Sequence, residues 1–182
     1  MKKIFAILAL ATFGSAFAGS FSVESQNINN VSSADQRTYG LSVKHDFSNT
    51  LAGDLAISNT QTDGTNALST RLEAGATLTQ PLFGSVKGYV RGAVGQKYSN
   101  TTDFSYYSIE PGITAPVGPF TAKLGVRYRT ANDAVANNDQ THTVRATLAY
   151  PLTAKDTVAV RYDRVRGDSD QKIVVLAYTR GF

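Results

Sequence analysis

The sequence predicts an all-β fold: a transmembrane antiparallel up-and-down β-barrel. Three observations predict it: short segments in which apolar and polar residues alternate, connections of two alternating kinds, and aromatic residues gathered at segment ends. A two-residue period is typical of a strand with one apolar face, and a tilted strand needs about 9–11 residues to cross a bilayer. We expect ten strands, with eight as the alternative if the weak first segment and one neighbour do not pair.

The N-terminal residues 1–18 have the features of a cleavable export signal. Two lysines precede the apolar run 4–13, which is too short to span a bilayer as a helix. Ala16-Phe17-Ala18 then fits the small-residue pattern of a cleavage site. We expect export through the Sec pathway, cleavage after Ala18, and one mature barrel domain, 19–182. An ordinary N-terminal helix is the alternative.

Composition excludes several classes of site. The chain has no Cys, so neither disulfides nor thiolate-metal sites are available. The net charge of +4 is too small to indicate a nucleic-acid partner. We expect no cofactor and no metal.

Ten segments carry the two-residue alternation after the export signal. Each contains 8 to 14 residues, about the length of a tilted transmembrane strand. They are 20–27, 37–47, 51–60, 68–79, 85–98, 104–115, 120–130, 141–150, 157–165 and 171–182.

Short and longer connections alternate between these segments. The short set is 48–50, 80–84, 116–119 and 151–156, and the polar, mostly longer set is 28–36, 60–67, 99–103, 131–140 and 166–170. Tight periplasmic turns alternating with longer outer loops are typical of an outer-membrane barrel, with both termini in the periplasm.

The chemistry of the two faces indicates which one points to lipid. In segment 120–130, Leu124 and Val126 lie on one face, and Lys123 and Arg127 lie on the other. A one-residue slip would turn several mid-strand arginines toward lipid, at about 2–4 kcal/mol each. We therefore expect the charged faces to line the interior.

On this register the interior is rich in charge. The expected pore-lining residues are Lys44, Asp54, Arg71, Glu73, Lys87, Arg91, Glu110, Lys123, Arg127, Arg129, Arg145, Arg161 and Asp163, with Glu24, Asp46 and Lys97 also facing inward. One hypothesis is a narrow, water-filled channel with a mild preference for anions, because a basic excess sets selectivity. The alternative is a structural barrel whose lumen is filled by salt bridges.

Aromatic residues fall at both ends of the segments, where amphipathic rings prefer lipid headgroups. Those expected near the periplasmic end are Phe21, Phe47, Phe83, Phe120, Tyr150, Tyr178 and Phe182. Those expected near the outer end are Tyr39, Tyr98, Tyr107, Tyr128 and Tyr162.

The last segment resembles the C-terminal assembly signal of small bacterial outer-membrane β-barrel, porin-like proteins. Phe182 is terminal, and Val174, Leu176 and Tyr178 precede it at alternate positions. Arg180 departs from the pattern, and it can extend into the periplasmic headgroups. The resemblance implies location in the cell outer membrane, contact with its lipid and lipopolysaccharide, and delivery by periplasmic chaperones to the barrel-assembly machinery. The oligomeric state stays open.

Other functions have weaker support, and we expect no enzyme. His45 and His142 both point toward lipid on this register, and the Asp168–Asp170 pair fits a solvated turn better than a Ca²⁺ site. A surface adhesin is the third hypothesis, but the outer loops have no aromatic anchors. One irregularity is Pro111, where we expect a bulge or kink, or else a shorter strand followed by a long turn.

Overall fold

The barrel is built from ten strands that follow the alternating segments of the sequence. In this computed structural model, which describes residues 19–30, 34–100, 103–132 and 140–182, every expected segment forms a strand. The expected export signal lies outside these residues. The strands are β1 (Gly19–Asn30), β2 (Gln36–Asp46), β3 (Leu51–Thr62), β4 (Leu68–Phe83), β5 (Val86–Ser99), β6 (Phe104–Val117), β7 (Phe120–Ala131), β8 (Thr141–Pro151), β9 (Asp156–Gly167) and β10 (Gln171–Gly181).

Each strand pairs antiparallel with its neighbours in the chain, and β1 pairs with β10 to close the barrel. The weak first segment is therefore a full strand, which confirms ten strands rather than eight. Beyond the ladder, the Phe182 amide donates to the Gly19 carbonyl at 3.1 Å, so the C-terminus is held against the start of β1. Closure leaves no free strand edge, as a barrel in lipid requires.

The short connections lie at the same end of the barrel as the two termini. The Gly181 amide, for example, donates to the carbonyl of Lys155 in the turn between β8 and β9 at 2.7 Å. Two of these turns contain glycines in the left-handed region, Gly84 at φ 53° and Gly118 at φ 59°, where a side chain would be strained. We call this end the turn end and the opposite end the loop end.

Pro111 produces neither the bulge nor the shortened strand that were expected. β6 is unbroken, and its register with β7 is the same before and after the proline, so both of these predictions were wrong; the local kink stays a prediction. The β6–β7 ladder omits only the two positions 110 and 111, because proline has no N–H to donate. A register shift occurs instead in β4, between Pro81 and Phe83.

The two faces of the sheet differ in the way the alternation predicts. Large apolar residues such as Leu55, Val94 and Leu176 are exposed on the outer face, at 57%, 61% and 60%. The buried residues lie inside the barrel, including an apolar cluster of Ile28, Val165, Ile173 and Val175 near the loop end. An outer surface of exposed large apolar residues is typical of the lipid-facing band of a transmembrane barrel.

None of the described residues belongs to a helix long and apolar enough to cross a membrane.

Candidate functional site: the charged barrel interior

One half of the interior is organised around Glu73 on β4. Its carboxylate contacts the guanidinium of Arg91 on β5 at 2.8 Å and that of Arg127 on β7 at 2.5 Å. It also accepts a hydrogen bond from the Tyr106 hydroxyl at 2.8 Å. Arg91 in turn makes a two-point contact with Asp54 on β3, with nitrogen–oxygen distances of 3.0 and 2.5 Å. Such charge-assisted, bidentate bonds fix the side chains in one arrangement.

The other half is organised around Glu110 on β6 and Asp163 on β9. Arg145 on β8 lies between them, 2.7 Å from Glu110 and 3.4 Å from Asp163. Arg161 contacts Asp163 at 3.1 Å and Glu24 on β1 at 3.3 Å. Glu110 and Asp163 are only 3% and 2% exposed, so their charges depend on these partners rather than on water.

We call this network the ion-pair girdle. Its members are Glu24, Asp54, Glu73, Arg91, Glu110, Arg127, Arg145, Arg161 and Asp163. With Lys123, whose ammonium lies 4.0 Å from Glu110, its positive and negative charges balance. Four of its contacts join strands that are not neighbours in the sheet: three pass over one intervening strand, and the Arg127–Glu73 contact passes over two.

The basic excess lies above and below the girdle. Toward the loop end, the Arg71 and Arg129 guanidiniums lie 5.6 and 5.5 Å from the centre of the Tyr106 ring, and Lys97 lies 5.3 Å from the Phe104 ring. These are distances at which a cation is attracted to an aromatic face.

Toward the turn end, the basic residues are less enclosed. Lys123 lies 3.9 Å from the centre of the Tyr89 ring. Lys87 is exposed, and Lys44 pairs with Asp46 at 2.6 Å with about half of each side chain exposed. All the residues expected from the sequence to line the interior thus lie on its inward face, in the girdle or at one of its two mouths.

Inward glycines leave the space that the two interior tyrosines, Tyr89 and Tyr106, occupy, and this feature was not predicted from the sequence. Tyr89 lies directly opposite Gly112, and Gly112 lies opposite Gly125 on the next strand. A Cβ atom at either glycine would collide with the Tyr89 ring or hydroxyl. Gly95 stands in the same relation to Tyr106. The feature that could have predicted this packing is a glycine at an inward position directly across from an inward tyrosine on the next strand.

A cavity of about 170 Å³ adjoins the girdle on its turn-end side. Its lining is mostly polar or charged, and three of its residues are basic. The lining residues are Tyr89, Glu110, Lys123, Arg145, Thr147 and Arg161. A polar space of this size holds several water molecules.

The loop-end side is more tightly filled. Tyr106, Val175 and Asp163 are the largest side chains that are almost fully buried, and all three point inward. The Tyr89 hydroxyl, which donates to Glu110 at 2.9 Å, caps the packed region from the other side. Both interior tyrosines therefore donate to girdle carboxylates, Tyr106 to Glu73 and Tyr89 to Glu110.

The remaining candidate residues lie outside the lumen. His142 is exposed on the outer face, 5.0 Å from the Tyr128 ring, and His45 packs edge-on against Phe47. The described residues contain no group of three or more His, Asp, Glu or Cys that could hold a metal ion. The Asp168 carboxylate accepts the Gln140 amide at 2.7 Å, as expected of a turn residue.

The expected assembly residues lie on the closing strand. Val174, Leu176 and Tyr178 point outward from β10, and Phe182 follows its last residue. The Tyr178 hydroxyl donates to Asp156 at 2.6 Å, and Arg180 contacts the same carboxylate at 3.4 Å. The unusual arginine therefore has a carboxylate partner at the turn end.

Comparison with known proteins assigns the chain to a family. The model of the Gram-negative porin family matches residues 4–181. The chain belongs to the Gram-negative porins. It is thus an outer-membrane porin-like barrel, and the resemblance seen in its last strand is confirmed. No curated protein sequence matches the chain.

Solved structures share the fold of this porin at low sequence identity. The NanC porin has a TM-score of 0.61 and 10% identity, covering 88% of this chain and 98% of its own. The β domain of the Bordetella autotransporter BrkA has a TM-score of 0.55 and 12% identity, covering 92% and 100%. The KdgM porin has a TM-score of 0.52 and 13% identity, covering 88% and 99%. At these identities the likeness establishes the barrel fold alone.

Proposed function

We propose that this porin is a narrow channel for passive diffusion of small solutes or ions, with a mild preference for anions. The observation that carries the proposal is the polar cavity of about 170 Å³ on the turn-end side of the girdle, with Lys123, Arg145 and Arg161 in its wall. An anion that enters this cavity from the turn end contacts Lys123 and two cations of the girdle itself, Arg145 and Arg161. The girdle then determines the width of the channel. Because its wall consists of paired charges, an ion meets polar groups there and no hydrophobic barrier.

The anion preference arises at the two mouths rather than at the constriction. The girdle with Lys123 is balanced in charge, whereas Arg71, Lys97 and Arg129 on one side and Lys87 on the other add positive charge. A wide ring of cations raises the local anion concentration, but salt screens it over about 10 Å. Selectivity should therefore be mild and should weaken at high salt.

A single-channel recording tests this proposal. The mature protein, refolded in detergent and inserted in a planar bilayer, is expected to give discrete current steps and an anion-selective reversal potential in a KCl gradient. Neutralising the mouths with Lys87→Gln, Lys97→Gln and Arg129→Gln should shift the reversal potential toward zero. Arg37→Gln, which changes an outward-facing cation on β2, serves as the matched control.

A sealed structural barrel is the second candidate, and the almost complete burial of Tyr106, Val175 and Asp163 favours it. In that case a heat-modifiable gel shift would show a correctly folded barrel that passes no current. A cation-selective current would contradict both candidates. Neither candidate has catalytic chemistry, and we infer no enzymatic activity.

We also infer the route to the membrane from the sequence. The export signal directs the chain through the Sec pathway with cleavage after Ala18, and periplasmic chaperones then pass it to the barrel-assembly machinery. The motif of Val174, Leu176, Tyr178 and Phe182 supports this route. N-terminal sequencing of the protein purified from outer membranes tests the cleavage site, with Gly19 as the expected first residue.

A further inference from the structure

The outer face of the barrel carries few charges, and apart from Arg37 on β2 they lie on two adjacent strands, β9 and β10. From β3 to β8, six consecutive strands, no Asp, Glu, Lys or Arg lies on the outward face. On β9, however, Arg164 and Arg166 point outward near the loop end, and on β10 so does Lys172. A cation on the lipid-facing surface is costly unless it reaches the interface. Three of them on neighbouring strands therefore require an explanation.

The register brings these cations together. Arg164 is directly opposite Lys172, so their Cβ atoms are about 5 Å apart, and Arg166 is directly opposite His142 on β8. We call Arg164, Arg166, Lys172 and His142 the outer cationic patch. Like charges directly opposite each other on adjacent strands destabilise a sheet when nothing lies between them.

The protein itself neutralises the patch only in part. Arg164 contacts Asp170 at 2.7 Å, and one of its guanidinium nitrogens has no hydrogen-bond partner. Arg166 and Lys172 are exposed and make no ion pair with any residue in the described part of the chain. The patch is therefore left with an excess of about two positive charges, plus a histidine, facing away from the barrel.

The surroundings of the patch identify the kind of ligand. Val144 lies beside Arg164, and Tyr162 and Val174 lie directly below Arg164 and Lys172; the three form an apolar surface, with Tyr162 and Val174 both half-exposed. Phosphate, like carboxylate, matches a guanidinium fork, and phosphate is the anionic group that sits at the boundary of a lipid leaflet. A ligand with phosphates above and acyl chains below fits both parts of this surface.

We propose that the outer cationic patch binds the phosphate groups of a lipopolysaccharide molecule in the outer leaflet, whose acyl chains lie on the apolar surface below. The inference rests on the chain crossing the outer membrane with its termini in the periplasm. It does not depend on whether the lumen conducts. Arg166 and Lys172 bind the phosphates, and Arg164, oriented by Asp170, supports them. This side of the barrel therefore binds lipopolysaccharide more strongly than the rest of its circumference does.

The test measures lipid retained by the folded barrel. Mature protein refolded in detergent is mixed with purified deep-rough lipopolysaccharide, and bound lipid is counted by native mass spectrometry. The variant R164Q/R166Q/K172Q should bind about 100-fold more weakly, since each basic side chain near a charged lipid contributes about fivefold. Matched controls are Arg37→Gln at the loop end and Arg180→Gln at the turn end, both outward-facing cations that pair with a carboxylate. Neither should change binding.

Three further arms decide the identity of the ligand. Lipid A with its phosphates removed should bind the wild-type barrel as weakly as lipopolysaccharide binds the triple variant. Inorganic phosphate at millimolar concentration should not displace lipopolysaccharide, because it lacks the apolar contact. Equal retention of phosphatidylglycerol and lipopolysaccharide, or equal binding by the triple variant and the wild type, would overturn the proposal. Single-channel current of the triple variant should match the wild type, which separates this test from that of the channel.

Discussion

The Arg127 guanidinium lies 2.5 Å from the Glu73 carboxylate, although their strands, β7 and β4, are separated by two others in the sheet. The contact therefore crosses the lumen. Both side chains are about 10% exposed, so neither charge is solvated well enough to tolerate loss of its partner.

Glu73→Gln is expected to destabilise the barrel by about 3–5 kcal/mol, because it leaves Arg127 buried without its counter-charge. The measurement is urea-induced unfolding of the protein refolded in lipid vesicles. Asp46→Asn is the matched control, since its pair with Lys44 is half-exposed and should contribute less than about 1 kcal/mol. Similar losses for the two variants would mean that water reaches Glu73 freely.

Removing both partners, as Glu73→Ala/Arg127→Ala, should widen the constriction without leaving a lone charge. The single-channel current is expected to increase several-fold if the wild type conducts, or to appear where there was none if the girdle seals the lumen. Tyr128→Ala, an outward neighbour of Arg127, is the control and should leave the current unchanged. An unchanged current in the double variant would place the constriction elsewhere.

Gly112→Ala is expected to lower the thermal midpoint of the folded barrel, because its new Cβ would collide with Tyr89. The midpoint is read from the heat-modifiable gel shift. Gly92→Ala is the matched control, since nothing lies within 4 Å of a Cβ at this outward glycine of β5.

A second comparison separates the tyrosine contact from a general intolerance of Gly112 to substitution. In a Tyr89→Ala background the ring is gone, so Gly112→Ala should cost much less than it does in the wild type. A cost that is the same in both backgrounds would contradict the role given to the glycine.

Phe182→Ala should slow insertion by the reconstituted barrel-assembly machinery, because the terminal residue lies where β10 meets the start of β1. The folded fraction on a gel over time gives the rate. Phe47→Ala removes another exposed aromatic at the turn end and should have a smaller effect. Equal rates for both variants would show that the terminal position carries no special signal.

The strands and their faces could be predicted because the alternation is local. One-residue slips are costly, so the inward position of Arg91, Arg127, Arg145 and Arg161 follows from the sequence alone. Which carboxylate each arginine contacts could not be predicted. The partners of Arg127 and Arg145 depend on the closure of ten strands and on their relative displacement, which no single segment encodes.

The effect of Pro111 was also out of reach of the sequence. The sequence predicts the missing N–H. The β6–β7 pairing at positions 109 and 112, on either side of the proline, nevertheless keeps the register without a bulge. The outward cations at the end of β9 and on β10 could not be predicted as a site either, because the register between β8, β9 and β10 is what brings them together.

The contacts between non-neighbouring strands have a mechanical consequence. Ladder hydrogen bonds fix the circumference of a barrel but resist flattening of its cross-section only weakly. The pairs Arg127–Glu73, Arg145–Glu110 and Arg161–Glu24 act as internal struts, each spanning a different chord of the ring. These ion pairs then resist lateral pressure from the bilayer, so the cross-section of the barrel keeps its shape while the membrane around it fluctuates.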